Sequence, residues 1–246
     1  MDWTAIIFGA MALAFGGVLK GATGAGAPIL AVPILAMFYD VPLAIAIFTL
    51  PNLLSNTWQG WRFRAQQVTP MLTWGFALAG AAGAGVGSVM LVNLPSDVLL
   101  LGVAAAVFLY VGFRLAKPDW ALDLGIATRL ATAAGFAGGI LQGAVGLSAP
   151  VSITFLNAIR MERGAFIATI SVFFVAMSLI QIPLLAAWGV LTPQRALLSA
   201  AAILPLVAAM PLGAYLARRL SKEVFDRVIL VLLALIAARL VFNAVL

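Results

Sequence analysis

The sequence contains no cysteine and no histidine. Without thiols there is no disulfide framework and no thiolate nucleophile. Without imidazoles there is no histidine metal site and no serine–histidine chemistry. Charge is also scarce. Only 9% of the 246 residues are charged, where a soluble domain carries roughly 25%. The eight acids, Asp2, Asp40, Asp97, Asp119, Asp123, Glu162, Glu223 and Asp226, all fall at loops or termini. No carboxylate is therefore placed within an apolar run to relay protons or to form a catalytic pair, and an enzyme is not expected.

What is present is hydrophobic. Apolar residues make up 64% of the chain, and the mean hydropathy is +1.15. No soluble globule covers that much apolar surface, so the solvent for this chain is a bilayer, where one span takes about 20 residues. The formal net charge of +6 does not point to nucleic acid. In a membrane protein, Lys and Arg gather in cytoplasmic loops and set orientation. The opening Met-Asp-Trp-Thr lacks a positive n-region and a cleavage site, so the first apolar run reads as a retained span.

Apolar periodicity divides the chain into ten elements. The first five are Trp3–Leu19, Ala25–Tyr39, Val41–Gln59, Met71–Leu91 and Val98–Leu115. A charged stretch from Arg114 to Arg129 follows as the linker. The second five are Leu130–Leu141, Leu147–Ile159, Ala165–Ala187, Ala196–Ala217 and Val224–Leu246. The first two elements of each half are too short for an upright span, and read as tilted spans or as re-entrant arms.

One stretch occurs twice. Residues 16–28 read GGVLKGATGAGAP and residues 138–150 read GGILQGAVGLSAP, with 8 identities in 13 positions. A second pairing, Gly87–Val98 with Gly213–Val224, shifts the offset from 122 to 126. The repeat unit is thus the half-chain, residues 1–118 and 119–246. Cations fall almost entirely in loops after odd-numbered elements: Lys20; Arg62 and Arg64; Arg114, Lys117 and Arg129; Arg160 and Arg163; Arg218, Arg219, Lys222 and Arg227. Loops after even-numbered elements hold only Arg195. That asymmetry places the odd loops in the cytoplasm and both termini in the periplasm. Five crossings per half then invert the second copy relative to the first. The expected fold is an all-α polytopic membrane protein of about ten helical elements in two inverted-topology repeats.

Two groups of residues are candidates for anion binding. The first is the glycine-rich break: Lys20, Gly21, Thr23, Gly24 and Gly26 in one copy, and Gln142, Gly143, Gly146 and Ser148 in the other. Glycine lets backbone N–H groups approach a ligand, and a helix starting there presents its positive end. The competing reading is close helix packing through small residues. Lys20 is either the counter-charge of an anion or a positive-inside anchor. The second group is a polar stripe on the third element, with Thr49, Asn52, Ser55, Asn56 and Gln59, the last four spaced i, i+3, i+4, i+7 on one helical face. Pro51 frees a backbone carbonyl within it. The eighth element carries the counterpart, with Thr169, Ser171, Ser178 and Gln181. Such a stripe faces a bundle interior or a water path, or serves as interhelical glue.

The repeated glycine motif, Pro33, the stretch Asp40-Val-Pro-Leu-Ala-Ile-Ala and, in the second copy, Arg163 to Thr169 together resemble the sulfite exporter TauE/SafE family, the toluenesulfonate uptake permease superfamily. The resemblance extends over nearly the whole chain. It implies a multi-pass transporter of the bacterial inner membrane for a small sulfur-containing anion such as sulfite or an organosulfonate. An anion channel and a non-catalytic membrane assembly subunit are the alternatives. The expected partners are the small anion, the lipid bilayer and, as a candidate, a second copy of the chain. No nucleic acid and no cofactor are expected.

Overall fold

The computed structural model describes residues 3–117, 119–219 and 222–245. They form α-helices and no strand: α1 (Trp3–Thr23), α2 (Ala27–Leu35), α3 (Val41–Arg62), α4 (Pro70–Asn93), α5 (Ser96–Ala116), α6 (Leu124–Val145), α7 (Ser152–Ala158), α8 (Arg163–Ala187), α9 (Pro193–Ala201), α10 (Ile203–Arg219) and α11 (Lys222–Val245). Several starts are fixed by side-chain caps, which satisfy backbone N–H groups that have no partner in a first turn. Asp40 accepts from Leu43 N at 2.7 Å, Thr69 from Leu72 N at 3.2 Å, Asp123 from Gly125 N at 2.8 Å and Thr192 from Arg195 N at 3.3 Å. Proline stands in the first turn of α3, α4 and α9, where its missing N–H costs nothing.

The distribution of polarity is that of a membrane protein. Lys20, Asn52, Asn56, Gln59, Gln142 and Gln181 are buried, while Leu78, Leu109, Leu197 and Leu204 are exposed. Among the described residues, six helical stretches are long and apolar enough to cross a bilayer: Ile6–Thr23, Pro70–Asn93, Ser96–Ala116, Leu124–Val145, Arg163–Ala187 and Pro193–Arg219, the last running through α9 and α10. Helix α3 is also 22 residues long, but its buried face carries five polar side chains.

Without a strong hydrophobic drive between helices in lipid, close backbone approach does the packing. Helix α1 lies on α10, and α6 lies on α4. A β-carbon on Gly17 would collide with the Leu206 carbonyl, and one on Gly21 with that of Met210. On the other pair, Gly139 meets the Gly80 carbonyl and Gly143 that of Ala84. Gly213 sits on the Val18 carbonyl, and Gly87 on that of Ile140. Each contact in the first pair maps onto one in the second by adding 122 to the α1 residue and subtracting 126 from the α10 residue.

Several boundaries differ from the sequence expectation. The first arm of each half is a full helix: α1 has 21 residues and α6 has 22. At about 1.5 Å per residue these reach the roughly 30 Å of a hydrocarbon core. Only the second arms are short, 9 residues in α2 and 7 in α7. Helix α6 starts at Leu124 because Asp123 caps it, and Arg129 is carried exposed on the helix. Lys20 is not in a loop; it lies in the last turn of α1. The ninth element is two helices, because Pro205 has no N–H for the Ala201 carbonyl and the chain breaks at Ala202. The C-terminal end of the tenth element, residue 246, lies outside the described residues.

Candidate functional site

Helix α1 ends where Gly24 takes φ +90°, and α6 ends where Gly146 takes φ +71°. The two are 122 residues apart in matching positions. Only glycine adopts this left-handed conformation without strain, so each break needs it. The first break places Lys20 inside the bundle with 1% of its surface exposed. Its ammonium donates to Asn56 Oδ1 at 2.7 Å, its only hydrogen-bond partner among the described residues. Asn56 Nδ2 donates in turn to Asn52 Oδ1 at 2.9 Å, and Asn52 Nδ2 to Ser178 Oγ at 3.4 Å. The chain of donors runs one way, from the cation through two amides to a hydroxyl on α8. Polarity is thereby relayed from α1 across α3.

Ser178 belongs to a small cavity between α2, α3, α6 and α8. Thr49, Asn52, Gln142, Gly146, Ser178 and Gln181 line it, with Val32, Ile45 and Phe48. All six polar or glycine members are residues the sequence singled out. The cavity volume is about 10 Å³, which is room for about one water. Gln142 Oε1 is buried there without a partner among the described residues, while Gln181 Nε2 reaches Gly143 O at 3.4 Å. Thr49 Oγ1 donates to Ile45 O at 2.6 Å, so its proton is committed to its own helix.

The other candidates sit elsewhere. Gly21 and Gly143 lie against neighbouring backbones, so their part is close packing. Thr23 Oγ1 donates to Leu19 O at 2.8 Å and accepts from Gly26 N at 3.1 Å and Ala25 N at 3.4 Å. The N–H groups of that turn, which the sequence offered to an anion, are thus consumed by Thr23. Gly26 packs on Leu19. Ser55 returns its proton to Pro51 O at 2.5 Å. Ser148 accepts from Ser152 Oγ at 2.9 Å inside the second turn. Gln59 Oε1 and Ser171 Oγ are buried with no partner among the described residues, away from the cavity lining. Lys20, with 1% of its surface exposed, is packed inside the bundle rather than extended along its surface.

One residue escaped the sequence reading. Pro51 has no N–H for the Ile47 carbonyl, and Ser199 on α9 supplies the missing donor at 2.9 Å. The same hydroxyl accepts from Leu50 N at 3.0 Å. The freed carbonyl was legible from Pro51; a partner 152 positions away was not.

The sequence profile of the sulfite exporter TauE/SafE family matches residues 9–240. Searches of curated proteins and of solved structures return no match. Proteins of that family are transporters rather than enzymes. A match covering both glycine breaks, the polar stripe and the apolar helices from residue 9 onward leaves little of the chain outside it. The chain therefore belongs to the sulfite exporter TauE/SafE family, and is a multi-pass membrane transporter of sulfite or related anions.

Proposed function

We propose that this transporter carries sulfite or a small organosulfonate as the counter-charge of Lys20, in the polar core between α1, α3, α6 and α8. The observation that carries the reading is a buried ammonium with one neutral acceptor. Lysine has three N–H donors, and a lysine deep in a bilayer costs about 2.5–3.5 kcal/mol on insertion scales. The C-terminal dipole of α1 offsets part of that cost, and a small anion offsets more. The remaining donors are neutral. The Ser178 hydroxyl is one, and Gln142 becomes another when its carboxamide turns over to present Nε2.

A cavity of about 10 Å³ does not hold sulfite. The helices must part for the anion, which favours a carrier with an occluded state over a channel. The recurring glycine contacts and the matched left-handed glycines support two repeats, residues 1–118 and 119–246, related by a pseudo-two-fold axis in the membrane plane. With the odd loops cytoplasmic, both termini are periplasmic in the bacterial inner membrane.

Reconstituted protein loaded with radiolabelled sulfite tests the substrate. Flux of sulfite or a sulfonate, competed poorly by acetate, is expected. Absence of flux for every sulfur oxyanion, with acetate moving instead, would discard the reading. Single cysteines in this cysteine-free chain test orientation. In intact cells stripped of the outer membrane, an impermeant maleimide should label Gln194→Cys and leave Ala65→Cys unlabelled.

A further inference from the structure

A second cavity lies outside the core. It occupies about 810 Å³ at the end of α1, below the linker between the two halves. Arg114 and Lys117 reach it from the end of α5, Asp119 and Trp120 from the linker, and Arg160 and Arg163 from the α7–α8 connection. Among the described residues, these four cations and one carboxylate line the space. At roughly 30 Å³ per water, the space is a solvated vestibule rather than a packing defect.

Two of these cations are tied into the fold in ways that shape the vestibule. Arg160 is the one non-glycine residue in the left-handed region among those described, at φ +54°. Its guanidinium donates to Asp119 O at 3.0 Å and closes the linker onto α7. Leu122 N donates to Ala158 O at 2.8 Å and pins the same contact. Arg163 donates to Gly21 O at 3.2 Å and Ala22 O at 3.1 Å, the two residues that follow Lys20. Leu19, Ala22 and Thr23 line the cavity as well, so its floor is the turn that holds Lys20.

We infer that this vestibule is a second anion site, a loading site for the oxyanion head of a sulfonate with an organic body, from which the head passes to Lys20. The inference rests on the reading of Lys20 given above. Guanidinium groups recognise an oxyanion by paired N–H donors, and Trp120 offers an aromatic face to an aryl body. Low-dielectric walls around clustered cations raise local anion concentration. A solvated site of this size binds weakly and in a salt-dependent way, as a loading site must if the anion is to leave it.

Benzenesulfonate is the probe, and Trp120 the reporter, in a variant with the other five tryptophans changed to Phe, held in phosphatidylcholine nanodiscs. The expected result is a saturable change in Trp120 emission. Lys117→Glu should weaken it at least tenfold, and added salt should weaken it too. No saturable change, or one indifferent to Lys117→Glu, overturns the proposal. Loss of the response in nanodiscs containing phosphatidylglycerol also overturns it, by giving the vestibule to a lipid phosphate. If the tryptophan-poor variant does not fold, calorimetric titration of benzenesulfonate into the native chain and into Lys117→Glu makes the same decision. Sulfite flux without vestibule binding removes this site and keeps the transport reading; binding without flux does the reverse.

Discussion

The turn after α1 and the turn after α6 share a scaffold and differ in chemistry. Both end in a left-handed glycine, and both are flanked by glycines pressed onto a neighbouring helix. At the matching positions inside them, one carries Lys20 and the other Gln142. The partners differ in step. Lys20 meets Asn56, and the residue 122 positions after Asn56 is Ser178, which lines the cavity with Gln142. The kink differs as well. Ser199 bonds the Ile47 carbonyl beside Pro51, whereas in the other half Thr73 meets Thr169, hydroxyl to hydroxyl at 3.4 Å, beside Phe173. Thr73 and Thr169 are the residues at offsets 126 and 122 from Ser199 and Ile47. Backbone packing is thus held alike at these matched positions, while the cation of the turn and the proline at this point of the helix stand on one side only. On the proposed reading, a cradle with one cation would take one anion with a defined polarity, whereas two cations would repel each other across a core in which no carboxylate stands among the described residues.

Making the second turn charged should have the largest effect. Gln142→Lys adds an ammonium beside a cavity that offers it no carboxylate, and should cost about 2.5–3.5 kcal/mol. Reduced membrane yield and a lower thermal midpoint in detergent would register this. A variant as stable as the native chain would mean the second turn accepts charge as readily as the first.

The reverse change makes the first turn neutral. Lys20→Gln copies the residue of the other half and keeps hydrogen-bonding capacity toward Asn56. Loss of a charged hydrogen bond of roughly 1.5–3 kcal/mol should weaken sulfite binding about 10- to 100-fold. Lys20→Arg should keep part of the affinity, since charge survives while geometry changes. Titrating sulfite against all three proteins compares them directly, and equal affinities would remove Lys20 from the site.

The kink comparison gives the next effect. Ser199→Ala leaves the Ile47 carbonyl, which Pro51 cannot serve, without its donor, at about 1–3 kcal/mol for an unsatisfied buried group. The matched Thr73→Val removes only a long hydroxyl contact and should cost less. Thermal unfolding of the two variants side by side checks the order.

The smallest effect belongs to Ser171, whose hydroxyl is buried with no partner among the described residues. Ser171→Ala should be neutral or slightly stabilising, because it removes a desolvated polar atom that gains nothing in return. If sulfite flux falls while the thermal midpoint holds, the hydroxyl meets the anion in another state of the cycle.

Much of this arrangement was legible before any coordinates. The polar spacing of Asn52, Ser55, Asn56 and Gln59 on one face requires a buried stripe, because lipid does not solvate amides. The glycine repeat announced the two breaks, because two chain reversals of the same shape need a residue that tolerates positive φ at the same place. The boundaries of α6 and α9 were misplaced because apolar windows do not register a single capping side chain or a proline one turn into a helix.

The sequence by itself determined a membrane solvent, helical elements, two matched breaks and a shortage of acids to pair with Lys20, since each follows from composition or local periodicity. Only the tertiary structure decided which donors stay uncommitted. Thr23, Thr49 and Ser55 have the same hydroxyl or methyl-hydroxyl chemistry as Ser178, yet they spend their protons on carbonyls of their own helix. Ser178 instead accepts from Asn52 and faces the cavity. Whether a hydroxyl bonds its own helix or a neighbour depends on which helices pack across it, and that pairing is made between residues more than a hundred positions apart.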